Sequence, residues 1–194
     1  MILSPNKREH FLPMPVVLVS TADNEGNRNI APYANVMPIL RPLDLIAIAS
    51  WFRRDTLNNI RDTQEFVINV PSADLVDEVM ICSRNYPADV DEFAEANLRV
   101  KASQKVTAPS IEDCIAWMEC TLDREVTEDG KYSIIIGKVV HLEVDDEYLA
   151  ENGDLDFEKA RPLSVMLGET GMRYTVPAGT GDYREYDEMF MGGN

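Results

Sequence analysis

Two adjacent arginines, Arg53 and Arg54, stand between an apolar run and an acid–hydroxyl pair in Ser50-Trp51-Phe52-Arg53-Arg54-Asp55-Thr56-Leu57-Asn58-Asn59-Ile60. Residue types in this order suit the capture of an anion. A strand that delivers the chain to a helix N-terminus leaves backbone N–H groups unpaired, and Asp55 or Thr56 can cap some of them. The remaining N–H groups and the two guanidinium groups then offer a place for a phosphate. Trp51 and Phe52, just before, can lie against a flat ring or join the core. The stretch reads as the anchor of a phosphorylated, planar cofactor. A solvated arginine pair matched with nearby acids is the bland alternative.

Other residues with chemical potential are fewer. Pro32 and Pro38 bracket Ala34-Asn35-Val36-Met37, and proline limits ladder pairing. The backbone of that segment is therefore expected to stay free for a ligand. Arg84 lies in a polar loop, open either to solvent or to an anion. His141 lies on an apolar strand, where a histidine is usually structural. Cys82, Cys114 and Cys120 form no C-x-x-C pair and read as free thiols of a reducing compartment, with Cys82 the one to test for reactivity. With only His10 and His141 beside them, a Cys/His metal site is not expected. Neither G-x-G-x-x-G nor G-x-x-x-x-G-K-[ST] occurs, so the two familiar glycine-rich phosphate loops are absent.

The elements that must position these residues alternate between strands and short helices. Val16–Thr21 and Arg28–Ala31, joined by a turn at Gly26, predict a hairpin. Leu43–Ser50 is the clearest buried strand, and it runs straight into the arginine stretch. A helix from Thr56 to about Thr63 places Leu57 and Ile60 on one face, leaving Asn58, Asn59, Arg61 and Asp62 toward water. Phe66–Val70 is a strand, Ser72 caps a helix to Met80, and Asp89–Ala96 reads as a short acidic helix anchored by Phe93. Cys114–Val126 and Tyr132–Val144 make a long hairpin around Glu128–Lys131. Gly137 inside the second strand suggests a bulge or a barrel bend. Asp145–Ala160 is expected to be partly helical, and a short strand is expected within Arg161–Val176. An antiparallel barrel with short helices follows, not a doubly wound sheet.

At 194 residues a single domain is expected, its core spanning about 10–175 and an acidic tail about 177–194. A net charge of −16 argues against nucleic acid and against anionic membrane surfaces, and makes local arginines stand out. With no stretch of about 20 apolar residues and no signal-peptide layout, a cytoplasmic location is expected. The tail, with Tyr183, Tyr186, Met189 and Phe190, is read as loose or as wrapping a partner subunit.

Taken in order, Pro15–Thr21, Asn29-Ile30-Ala31-Pro32-Tyr33, Arg53–Ile60 and Glu65–Val70 resemble the flavin reductase-like, FMN-binding split-barrel family. Tyr86-Pro87, Asp91-Glu92-Phe93 and Gly137–Leu142 fit the same pattern. The resemblance covers roughly residues 10 to 175 and implies a Greek-key split barrel that dimerises, with FMN (rather than FAD) near the subunit interface. By resemblance, Ala34, Asn35, Val36 and Met37 would follow the isoalloxazine edge, and Ser50, Trp51 and Phe52 the ring and ribityl chain. Arg53, Arg54, Asp55 and Thr56 would surround the phosphate, with Arg84 adding phosphate or nicotinamide-nucleotide contact. His141 would reach the flavin from its strand or from the other subunit. Asp55 is expected mainly to cap the helix or to orient an arginine. The implied activity is an NAD(P)H:flavin oxidoreductase. Two other readings stay open: a flavoredoxin-type electron carrier fed by a basic redox partner, and a non-catalytic flavin or haem binder.

Overall fold

The computed structural model describes residues 1–128 and 130–184. After a 3-10 turn at Pro5–His10, the strands in chain order are β1 (Met14–Pro15), β2 (Val17–Ala22), β3 (Arg28–Tyr33), β4 (Val36–Pro38) and β5 (Leu45–Trp51). Helix α1 (Asp55–Thr63) leads to β6 (Glu65–Val70), α2 (Val76–Cys82) and α3 (Glu92–Glu95). Then come β7 (Val100–Lys101), β8 (Ser110–Ile111), β9 (Ala116–Glu128), β10 (Tyr132–Val144), α4 (Phe157–Ala160), β11 (Ser164–Leu167) and β12 (Met172–Thr175). Seven strands form one antiparallel sheet in the order β3-β2-β6-β9-β10-β5-β4. It curls into a half-barrel, the split-barrel form expected from the sequence.

The curl follows from strands buried on both sides. In β2, Val17 and Val19 enter one apolar cluster while Leu18 enters the other. In β6, Phe66 and Ile68 enter the first and Val67 the second, which is the period-2 geometry of a strand. One cluster is completed by Leu57 and Ile60 of α1, the other by Val79 of α2 and Phe93 of α3. Gly137 marks a register shift between β10 and β9. A Cβ there would sit 2.4 Å from Cζ of the fully buried Phe66, so the bend needs glycine.

Buried polar side chains pin the loops to this sheet. Asn69 donates to the Leu18 carbonyl (2.9 Å) and to the Ser20 hydroxyl (2.9 Å), and accepts from the Ile111 N–H (2.8 Å). The side-chain oxygens of the buried Glu119 accept from the N–H groups of Gln104, Lys105 and Val106.

Several local expectations are corrected. β4 pairs with β5, Val36 opposite Ile48 and Met37 opposite Ala47, and the Asn35 carbonyl accepts from Ala49 N–H at 3.0 Å. That backbone is therefore engaged on its inner side. Pro38 ends an edge strand, a position where proline costs no ladder bond. The acidic helix shrinks to Glu92–Glu95, with the Asp91 side chain accepting from Phe93 N–H. The segment after Arg161 holds two strands, β11 and β12, paired as a hairpin. Asn59 turns inward to donate to Thr21 Oγ1 at 3.1 Å. Of the tail, Tyr186, Met189 and Phe190 lie outside the described residues.

Candidate functional site

Ser50 and Trp51 end β5, and three residues later α1 begins. Arg54 occupies the N-cap position in an extended conformation, and no side chain caps the helix. This corrects the expectation that Asp55 or Thr56 caps it: both lie inside the first turn, where their own backbone is already helical. Thr56 Oγ1 instead accepts from the Asn29 side chain of β3 at 3.0 Å. Nor does Asp55 orient an arginine, because Arg54 donates to Asn85 Oδ1 at 3.0 Å. The first N–H groups of a nine-residue helix thus remain for an anion.

That open terminus faces a cleft of about 570 Å³. Its walls come from β3 (Asn29–Tyr33), the β5 end, the start of α1, the loop after α2 (Ser83–Tyr86), Glu92 of α3, Tyr132 of β10, and Arg8 and Glu9 of the N-terminal turn. Eight of the expected residues meet there: Ala34, Asn35, Ser50, Trp51, Arg54, Asp55, Thr56 and Arg84. Trp51 is 70% exposed, so it belongs to the surface and not to the core. The Tyr33 hydroxyl lies 3.1 Å from the Ser50 hydroxyl, which donates to the Trp51 carbonyl. This relay ties β3 to the end of β5 on the cleft wall. Arg84 has no ion pair among the described residues. Tyr86 Oη is shielded from solvent yet has no hydrogen-bond partner there. A buried hydroxyl without a partner is costly, and this one borders the cleft.

Five expected residues lie elsewhere. Phe52 packs beneath the Arg61 guanidinium, 4.9 Å from its ring centre. Arg61 in turn forks onto Glu125, with Nε–Oε2 at 3.0 Å and Nη2–Oε1 at 2.5 Å, and the Ser133 hydroxyl also donates to Glu125. Arg53 is exposed, lies in the bend after β5 and is not part of the cleft lining. Val36 and Met37 sit on the edge strand, Met37 61% exposed. His141 lies on β10 opposite Glu119, its Nε2 3.6 Å from Glu143 Oε2, beyond hydrogen-bond reach. Cys82 does border the cleft but is buried. Burial first, then the charges of Glu92 and Glu78, push its thiol up to about 12, so it is no reactive thiolate. This corrects its reading as the cysteine to test for reactivity: it ends helix α2, buried.

The sequence reading gave no role to Asn29, Tyr33, Tyr86 or Glu92. All four were part of the resembling motifs, but nothing in their local pattern separates a cleft wall from a core. The charged groups along the cleft are Arg8, Arg54 and Arg84 against Glu9, Asp55 and Glu92. Among the described residues, no group of three or more His, Cys, Asp or Glu is placed to hold a metal.

The family model for the flavin reductase like domain matches residues 9–163. The chain belongs to that family. This flavin reductase-like chain is 47% identical, over its whole length and 93% of the relative's, to an uncharacterized protein of Methanothermobacter thermautotrophicus. Its fold is similar to that of nitrilotriacetate monooxygenase component B from Bacillus cereus: TM-score 0.83, 24% identity, 94% of this chain and 98% of that one. It is similar also to the flavoredoxin of Desulfovibrio vulgaris, at TM-score 0.82 and 22% identity over the full length of both chains. Membership gives the chain a flavin-related oxidoreductase or electron-transfer role. No helix among the described residues is long and apolar enough to cross a membrane.

Proposed function

We propose that the protein binds FMN in this cleft and passes reducing equivalents from NAD(P)H through it to an acceptor. The observation that carries the reading is the uncapped start of α1, which opens with Arg54 into a cleft that Arg84 also lines, in a chain of net charge −16. The residues fit a phosphorylated flavin. Arg54, Arg84 and the α1 N–H groups would hold the phosphate, and the partnerless Tyr86 hydroxyl is free to meet a polar ligand atom. Trp51 presents an exposed aromatic surface along the same cleft.

The bound flavin would supply hydride acceptance and release. The protein's part is to bind, orient and shield. The Tyr33–Ser50–Trp51 relay fixes the wall that a ring would contact, and Arg54 is held in place by Asn85. No side-chain nucleophile is needed, which agrees with the high thiol pKa of Cys82. A homodimer is part of the reading. Register sets Trp51 opposite Tyr132 and Met37 opposite Ala47, and Met37, Leu40, Leu43, Trp51, Tyr132 and Leu142 are all exposed. A second copy covering them would also bring His141 toward a cleft.

The test is the visible spectrum of the purified protein, followed by anaerobic NADH and NADPH. Flavin absorbance that bleaches with either nucleotide supports the reading; a colourless protein that ignores added FMN refutes it. The net charge favours a second reading, a carrier docked by a basic redox protein. Flavin that bleaches only with a reduced protein donor would select it.

A further inference from the structure

Glu92 is an odd residue for the wall of an anion-binding cleft. It is 8% exposed and lines the cavity. It accepts from the Ile30 N–H of β3, at 3.2 Å to Oε2. No cation pairs with it among the described residues: Arg28, the nearest arginine of that strand, is committed to Asp91 and lies over the Phe93 ring. Glu92 feels the negative charges of Asp55, at the start of α1, and of Asp91, beside it. From α2 it faces Cys82, whose high thiol pKa keeps it neutral. A charged carboxylate there would sit next to the place where Arg54 and the α1 terminus gather a phosphate, and the two anions would repel.

We propose that Glu92 takes up a proton when the cleft binds the flavin phosphate, so that its carboxyl donates to the phosphate instead of repelling it. This rests on the flavin reading above. The free carboxyl is already prepared for the step. Burial, the largest influence, raises its pKa; the N–H groups of Ile30 and of Glu92 itself pull it back, and the charges of Asp55 and Asp91 add to the rise. The proton comes from solvent and returns there on release. The flavin phosphate, with a second pKa of about 6, can only lose a proton on meeting cationic groups, so net proton uptake belongs to Glu92. Above about pH 7, where the phosphate is already largely a dianion, FMN affinity then falls as pH rises, while riboflavin, which lacks the phosphate, binds without that dependence.

Glu92→Gln separates the idea from a structural role. Glutamine keeps the acceptor for Ile30 N–H and mimics the protonated carboxyl. In fluorescence titrations of the flavin-free full chain, the variant is expected to bind FMN several-fold more tightly than the parent at pH 8. At pH 5 the two proteins should agree, and riboflavin affinity should be the same in both at either pH. A variant with unchanged or weaker FMN binding at pH 8, or one that gains equally for riboflavin, overturns the proposal. Calorimetry of the parent protein with FMN at pH 7, in two buffers of different ionisation enthalpy, reads the same event without a mutation. Net proton uptake is expected with FMN and none with riboflavin. Proton release or no exchange with FMN overturns the proposal while leaving flavin binding intact. Failure to bind either flavin at any pH overturns the flavin reading, and this proposal falls with it.

Discussion

Arg54 and Arg53 are neighbours with different surroundings. Arg54 borders the cleft and is steadied by Asn85, while Arg53 is exposed and outside the lining. Arg54→Ala or Arg84→Ala is therefore expected to weaken FMN binding roughly tenfold or more, the scale of a charge-assisted hydrogen bond. Arg53→Ala should change it far less. Titration at low and high salt checks this, since the loss should shrink as salt screens the pair. The distinction was not legible in the sequence, where two like residues in an extended stretch carry the same label. Arg54 became readable once the helix start was located one residue earlier than the apolar periodicity implied. Tyr86 and Glu92 were opaque for a different reason. Their role depends on a loop folding back over β3, and no local period encodes that.

Helix α1 and the β9–β10 hairpin are joined through a fork. Arg61 of α1 binds Glu125 of β9, and the Ser133 hydroxyl of β10 donates to the same carboxylate. Arg61, foremost, and Ser133 hold Glu125 below its usual pKa, against a smaller upward push from burial. A depressed folded-state pKa contributes stability that is present above the unfolded value and lost as pH falls through the folded one. The parent protein should thus lose this contribution below about pH 4.5, and Arg61→Gln should flatten that limb of a stability-versus-pH curve from urea melts. Because the Arg61 guanidinium also covers Phe52, the fork sets where the strand-to-helix joint lies. Gly137 is the other decisive point. Gly137→Ala forces a methyl into the Phe66 ring and should cost about 1–3 kcal/mol, the usual range for overpacking. Denaturant midpoints at unchanged slope would show it. The alternating strands, the hairpin turns and this glycine were legible because they follow from period-2 patterning and a missing side chain. β12 and the pairing of β4 were not, because edge strands lean on their partners more than on their own composition.

The chain as a whole presents an acidic surface broken by exposed apolar side chains on β4, β5, β10 and the turn between β4 and β5. The proposed dimer would bury them. Light scattering should give twice the chain mass, and Leu142→Glu, placing a charge on that face, should shift the population toward monomer. A monomeric parent would remove the subunit-interface part of the reading while leaving the cleft in place. An antiparallel barrel was legible from strand order and hairpin spacing, and the split-barrel form from the family resemblance. The cleft was legible only at its strand-to-helix corner, because its walls come from segments far apart in sequence.

One of those walls, residues 83–91, has neither helix nor strand. It is moored to the barrel by Arg54–Asn85 at one end and Arg28–Asp91 at the other. Arg84, exposed on this span, is also a tryptic cleavage point. A ligand gripping Arg84 would act as a third mooring and make nicking depend on occupancy. Limited trypsin digestion should cut after Arg84 readily in the flavin-free protein and several-fold more slowly with saturating FMN, following the loss of open states on binding. Riboflavin, with no phosphate for that side chain to hold, should protect the bond much less.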